Sequence, residues 1–245
     1  MLLSGIAVAA AVALAAVVKG MLGMAFPAVA TPLVATVIGA QTAVVSVAIP
    51  GFLQNAVQAW SGRANLRDVR ALAPLLAMLG VGTLIGAYLL IALPVHVVTL
   101  LVGAAVMIYA GLALLRIEPV LPARGAVAIG SVVGFVAGVL GGATGIFAPI
   151  LAVYLAATRP DKDRFTAVIA LLLFIGQVPQ IVGYAALGLY TRERLVLSAI
   201  MLPPVAVGFL AGTFIRSRIS QHGFALVVRW GLLLIGLRLV VDAVR

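Results

Sequence analysis

The sequence predicts an all-α integral membrane protein with ten apolar helical segments in two inverted repeats of five segments each. Hydrophobic residues make up 64% of the 245-residue chain and charged residues only 9%, whereas a soluble domain carries about 25% charged residues. Apolar runs recur from end to end, and a run of roughly 20 residues can cross a bilayer as a helix. The second half of the chain also returns to the glycine and amide pattern of the first.

Helices are expected because a backbone in lipid must satisfy its own hydrogen bonds. The strands of a membrane barrel alternate apolar and polar residues, but these runs are unbroken. The ten segments lie at residues 2–18, 24–38, 43–60, 71–92, 97–115, 126–140, 146–157, 166–187, 195–213 and 223–243. Segments 1–2 and 6–7 are short and are separated by glycine-bearing breaks, so we expect broken or re-entrant helices at both places.

An internal duplication divides the chain into two membrane repeats, residues 1–120 and 121–245. The stretch Gly20–Gly23 matches Gly138–Gly141, and Pro32 matches Pro149. Further along, the remaining pairs keep their order: Gly82 and Gly86 match Gly208 and Gly212, Gln54 matches Gln180, and His96 matches His222. An odd number of crossings in each repeat makes the second repeat enter from the opposite face.

Loop charges support this inversion when the N-terminus is placed outside a cell inner membrane. Eleven basic residues then fall in inside loops, Lys19 among them, and three fall outside, namely Arg192, Arg194 and Arg245. This excess follows the positive-inside rule. Arg192 and Arg194 are exceptions that the rule leaves unexplained.

Composition also excludes several classes of function. The net charge of +10 is explained by basic cytoplasmic loops, so we expect no nucleic-acid partner. The chain has no cysteine, which excludes disulfides and thiolate metal sites. It carries no nucleotide-binding motif, and we expect neither a cofactor nor a metal.

The two glycine breaks are the first candidate binding site. Glycine lets backbone N–H groups approach a ligand, and a helix that starts after a break directs its positive end there. The alternative is tight helix packing through small residues. The candidate residues at the breaks are Gly20, Gly23, Met24, Gly138, Gly141, Gly142, Thr144 and Gly145.

Amide side chains and one lysine complete the candidate site. Segment three carries Gln54 and Asn55, and its counterpart carries Gln177 and Gln180. Buried amides need partners, so these side chains either line a substrate path or bind helices together. Lys19 is either a cytoplasmic anchor or a deep group that attracts an anion. The acidic residues all lie in loops or near the C-terminus, which favours an anionic substrate.

The breaks and their prolines resemble the sulfite exporter TauE/SafE family, whose pattern is a glycine-rich stretch, a few apolar residues and a proline in each half. The second copy runs from Gly138 through Gly141, Gly142 and Gly145 to Pro149, and the first from Gly20 and Gly23 to Pro32. A G-x-x-[NT] element at Gly62 and Gly188 adds to the resemblance. The first copy lacks the glycine run.

The resemblance implies a secondary transporter of a small anion, sulfite or an organosulfonate. The expected partners are that anion and the lipid bilayer, and a homodimer stays an open alternative. Two other functions also stay open: a membrane enzyme on a similar inverted-hairpin scaffold, and an assembly or lipid-handling protein. An enzyme needs buried acid, base or nucleophile groups, and the membrane segments show no acidic cluster.

Overall fold

The computed structural model describes residues 2–66, 69–115, 126–158, 161–216, 218 and 221–244. Within these residues the protein is all-helical, with ten α-helices that correspond to the ten predicted segments. The helices are α1 (Leu2–Leu22), α2 (Phe26–Ile38), α3 (Ala40–Ser61), α4 (Ala73–Ala92), α5 (Val95–Leu115), α6 (Ala126–Thr144), α7 (Ala148–Ala157), α8 (Lys162–Ala186), α9 (Arg192–Ile215) and α10 (Gln221–Val244). Two 3-10 turns, Arg63–Asn65 and Val69–Leu72, connect α3 to α4.

Six of the described helices, α1, α4, α5, α6, α8 and α9, are long and apolar enough to cross a membrane. Helices α2 and α7 have 13 and 10 residues, which gives lengths of about 20 and 15 Å. Neither can cross a hydrocarbon core of about 30 Å alone. The chain is therefore a multi-pass membrane protein in which each half of the sequence holds one half-length helix.

The prediction that segments 1 and 6 are short is wrong. Helix α1 continues four residues past the predicted end, to Leu22, and α6 continues four residues to Thr144. Their glycines do not break the helices because these residues pack against other helices. The short members of the two pairs are α2 and α7 alone.

Helices α4 and α6 pack so closely that glycine is required along both. A Cβ atom added at any of five glycines would lie 2.2–2.4 Å from a backbone oxygen of the facing helix. These glycines are Gly82, Gly86, Gly134, Gly138 and Gly142. Small residues at such positions let membrane helices approach closely, so these glycines serve the packing of α4 on α6.

Helices α1 and α9 make the same kind of contact. A Cβ atom at Gly20, Gly208 or Gly212 would lie 2.3–2.5 Å from a backbone oxygen across the interface. The first helix of each half thus packs against the fourth helix of the other half, and α3 packs on α8 between these pairs.

Gly82→Ala is expected to destabilise the protein, while Gly80→Ala on the same helix is its control. The added methyl at position 82 meets Phe135 O at 2.3 Å, whereas position 80 has no atom within 4 Å. Overpacking of this kind costs roughly 1–3 kcal/mol, and alanine in an open helical position stabilises by up to about 1 kcal/mol. Thermal unfolding in detergent measures both. Equal melting temperatures for the two variants would contradict the close packing of α4 on α6.

Candidate functional site

Two breaks in the helical backbone define the site. Gly23, with φ of +80°, ends α1 by donating its N–H to Lys19 O at 2.7 Å. Gly145, with φ of +78°, ends α6 by donating to Gly141 O at 2.7 Å. A left-handed glycine is the usual end of a helix. The breaks therefore lie at residues 23–25 and 145–147, after most of the glycines that were predicted to form them.

The other candidate glycines lie inside helices. Gly20, Gly138 and Gly142 face the backbone of a neighbouring helix, and a Cβ atom at Gly141 would overlap the Phe147 ring. These positions are sterically closed, so their N–H groups do not line an open break.

The remaining residues at the breaks have different positions. Met24 lies in the first break and is half-buried. Thr144 is the last residue of α6, where its hydroxyl donates to Leu140 O at 2.7 Å and accepts from Ile146 N at 3.2 Å. The buried Thr31, on α2, lies beside Gly145.

The starts of α2 and α7 meet at one small cavity. Its wall includes Pro27 and Ala28 from α2, Ala148 from α7, and the amide side chains Asn55 and Gln177. The cavity has room for about one water molecule. Neither helix start has a side-chain cap, and a helix start carries unpaired N–H groups and a partial positive charge. The two breaks therefore direct two positive helix ends at the same space.

Lys19 anchors a buried hydrogen-bond relay that leads to this cavity. The side chain is fully buried, and its ammonium donates to Asn55 Oδ1. Asn55 Nδ2 in turn donates to Gln177 Oε1 at 2.8 Å. Lys19 is therefore the deep group of the two alternatives, and its assignment to a cytoplasmic loop is wrong.

The chemistry of lysine fixes the direction of this relay. An ammonium group can only donate, so the oxygen of Asn55 faces Lys19 and its nitrogen faces the oxygen of Gln177. The nitrogen of Gln177 is left as the last donor, on a residue of the cavity wall. When Lys19 is protonated, two amides therefore connect its charge to the wall of the cavity.

No described carboxylate is buried with this charge. Asp161, Asp163, Glu193 and Asp242 are all exposed. A buried cation is stabilised when it is paired and hydrogen-bonded, and here its partner is a neutral amide. An anion in the cavity would be attracted by a charge that the described residues leave without a counter-ion.

Two further amides hold the ends of the broken helices. Gln180 Nε2 donates to Gly141 O at 2.9 Å and to Tyr184 Oη at 3.0 Å. Gln58 Nε2 donates to Gly23 O at 2.6 Å. The bond from Gln58 satisfies a carbonyl that the end of α1 leaves free, whereas the bond from Gln180 adds a second donor to the Gly141 carbonyl, which already accepts from Gly145 N–H. Gln180 therefore binds α8 to α6.

Gln54 differs from the other amides. It is buried, but neither its oxygen nor its nitrogen has a hydrogen-bond partner among the described residues. A buried amide without a partner is unfavourable in a static core. Gln54 therefore stays the candidate for a group that meets a polar substrate.

Tyr184, which was not predicted from the sequence, contacts Gln180 and the end of α6. It is fully buried, and its hydroxyl donates to Gly142 O at 2.6 Å. Its position four residues after Gln180 puts both side chains on one face of α8, which is the signal that could have identified it.

Comparison with known proteins gives one match. The family model described as sulfite exporter TauE/SafE matches residues 8–239. No curated protein and no solved structure is significantly similar to the chain.

Gln180→Leu and Gln54→Leu should have opposite effects on stability. Gln180→Leu removes the hydrogen bonds to Gly141 O and Tyr184 Oη, each of which contributes about 0.5–1.5 kcal/mol. Gln54→Leu removes an unpartnered amide, so the protein should be as stable as the wild type or more stable. Thermal unfolding in detergent measures both, and the matched substitutions differ only in position. An equal loss of stability for Gln54→Leu would show that Gln54 also binds helices together.

Proposed function

Because the chain belongs to the sulfite exporter TauE/SafE family, a family of membrane transporters, we propose that it is a secondary transporter of a small anion, sulfite or an organosulfonate. The anion binds at the cavity between the starts of α2 and α7. The observation that carries this proposal is the relay from Lys19 through Asn55 to Gln177.

The relay and the helix ends supply complementary interactions. Gln177 presents an N–H donor, and the two uncapped helix starts supply partial positive charge. Hydrogen bonds to a charged ligand are shorter and stronger than those between neutral groups. The groups around the cavity therefore favour an oxyanion over a neutral solute or a cation.

The cavity is nearly closed in this structure. A sulfonate is larger than the single water for which the cavity has room, so binding and release need the walls to separate. Alternating opening towards the two faces is how transporters with midplane sites work.

We also propose that the two halves are inverted repeats around this site. Support comes from the exchanged helix pairs: Gly20 packs against Phe209 and Thr213, and Gly142 packs against Thr83 and Ala87. Gly20 thus corresponds to Gly142 instead of Gly138, one helical turn further along than the sequence match indicated. Asn55 and Gln177 meet between the central helices of the two halves.

Asn55→Asp should abolish anion transport without unfolding the protein. Aspartate keeps an acceptor for Lys19 but cannot donate to Gln177 Oε1, so the Gln177 amide must turn its nitrogen towards the new carboxylate. The negative charge also compensates the ammonium and repels an anion. Loss of a charged interaction of about 1.5–3 kcal/mol weakens binding roughly tenfold or more. Flux into proteoliposomes is measured with labelled sulfite, 2-sulfoacetate, acetate and lactate.

Lys19→Met is the companion variant, because it removes the same charge and leaves Asn55 in place. Both variants should lose flux of the sulfur anions. Wild-type flux in either well-folded variant would contradict the site, and wild-type protein that carries none of the four anions would contradict the function.

Cysteine labelling tests the inversion and the orientation. Thr36 and Thr158 are exposed near the ends of α2 and α7, and each hydroxyl donates to the carbonyl three residues earlier. The chain has no native cysteine, so Thr36→Cys and Thr158→Cys give clean signals with a membrane-impermeant maleimide on intact cells. Thr36→Cys should react from outside and Thr158→Cys only after lysis. Reaction of both from one face would contradict the inversion.

A further inference from the structure

Arg194, one of the two basic residues that the positive-inside rule leaves unexplained, is a structural link between the two halves. Its guanidinium donates to Gln41 Oε1 at 2.9 Å and to Leu189 O at 3.0 Å. Gln41 also donates to Leu90 O at 3.2 Å. These four residues, which we name the Arg194 cluster, join the start of α3, the end of α4, the α8–α9 connection and the start of α9.

The charge of Arg194 is not neutralised in the described part of the chain. Both of its side-chain partners are neutral oxygens, and the side chain is half-buried. Arginine is favoured for binding oxyanions because its planar donors match two oxygens at once. An anion is a stronger acceptor than an amide or a peptide carbonyl, so it can displace Gln41 from Arg194.

Polar groups continue from the Arg194 cluster to the second helix break. Leu189, whose carbonyl holds Arg194, is followed by Tyr190, whose ring lies 6.2 Å from that of Tyr184. The hydroxyl of Tyr190 is buried and has no partner within the described residues. Tyr184 then donates to Gly142 O, next to the end of α6. Tyr190, Tyr184 and Gln180 therefore form a chain of contacts from the Arg194 cluster to the end of α6.

We propose that Arg194 receives the anion at the membrane face where α3 and α9 begin. Its hydrogen bond to Gln41 closes the route to the cavity when no anion is bound. The inference rests on the proposed transport function. The anion replaces Gln41 as the partner of Arg194, which breaks the link between the first turns of α3 and α9, while Ser198 Oγ still donates to Ser46 O further along these helices. Arg194 is then a recognition residue outside the central site, and Gln41 is the group that keeps the route to the cavity closed.

The alternative is that the Arg194 cluster is a structural contact with no role in transport. Substitutions at Arg194 and Arg192 distinguish this alternative from the proposal. Arg192 is an exposed arginine on the same turn of α9, so Arg192→Gln makes the same charge change without touching the cluster. For Arg194→Gln we expect the half-saturating concentration of sulfite or 2-sulfoacetate at this face to rise about tenfold or more. Arg192→Gln should leave it unchanged. Flux into proteoliposomes of known orientation measures both.

Gln41→Glu tests the closing role in a protein that keeps Arg194. The new carboxylate forms a stronger, charged pair with Arg194, so the closed state gains stability and the maximal flux should fall about tenfold. The charged pair offsets the hydrogen bond that Gln41 donates to Leu90 O and that glutamate cannot make, so the melting temperature should not fall. If the Arg194 cluster has only a structural role, this variant should keep wild-type flux.

The outcomes are distinct from those for the central site. If Arg194→Gln and Arg192→Gln have the same half-saturating concentration, or if Gln41→Glu keeps wild-type flux, the proposal is overturned while the transport function stands. Wild-type protein that carries neither sulfur anion removes the premise and overturns both.

Discussion

The ammonium of Lys19 is the constraint around which the interior is arranged. A buried charge is tolerated only when it is hydrogen-bonded, and Asn55 and Gln177 supply that partner and the next one. Since lysine can only donate, both amides are held in one orientation. The same requirement that stabilises the fold thus leaves a donor at the cavity wall. The fold and the proposed transport function therefore depend on one set of hydrogen bonds.

Close glycine contacts keep this arrangement in place. Without a hydrophobic force between helices in lipid, packing of small residues supplies much of the association. The α4–α6 and α1–α9 pairs use such packing, and each pair joins the two halves. Helices α2 and α7 are short and lack side-chain caps at their starts. Left-handed residues precede both, namely Gly23 and the non-glycine Ala25, with φ of +81°, before α2 and Gly145 before α7. The long pairs form the frame, and the half-length helices carry the site.

The sequence predicts the ten helices, the two pairs that contain a short helix, and the polar residues of the interior, because hydropathy and residue type are visible in one dimension. It does not show which helix lies opposite a glycine. Gly20, Gly138 and Gly142 therefore resemble parts of a break, although they face a neighbouring backbone. Lys19 resembles a loop anchor because it stands beside glycines, and its partner Asn55 is 36 residues away. For the glycines the choice lies between a break and helix packing, and for Lys19 between a loop anchor and a buried donor. Both choices depend on contacts between residues far apart in the sequence, which local patterns do not encode.

The chemistry of the site is less symmetric than its frame. In the proposed repeat, Lys19 corresponds to Gly141, where the Phe147 ring packs against the helix. The positive charge therefore enters from the first half alone, while Ile146, Phe147 and Leu173 give the cavity an apolar side. A ligand with charge at one end and little polarity at the other would satisfy both sides. A duplicated frame can in this way keep two equivalent helix ends and still orient its ligand, since one lysine is enough to make the two ends of the cavity different.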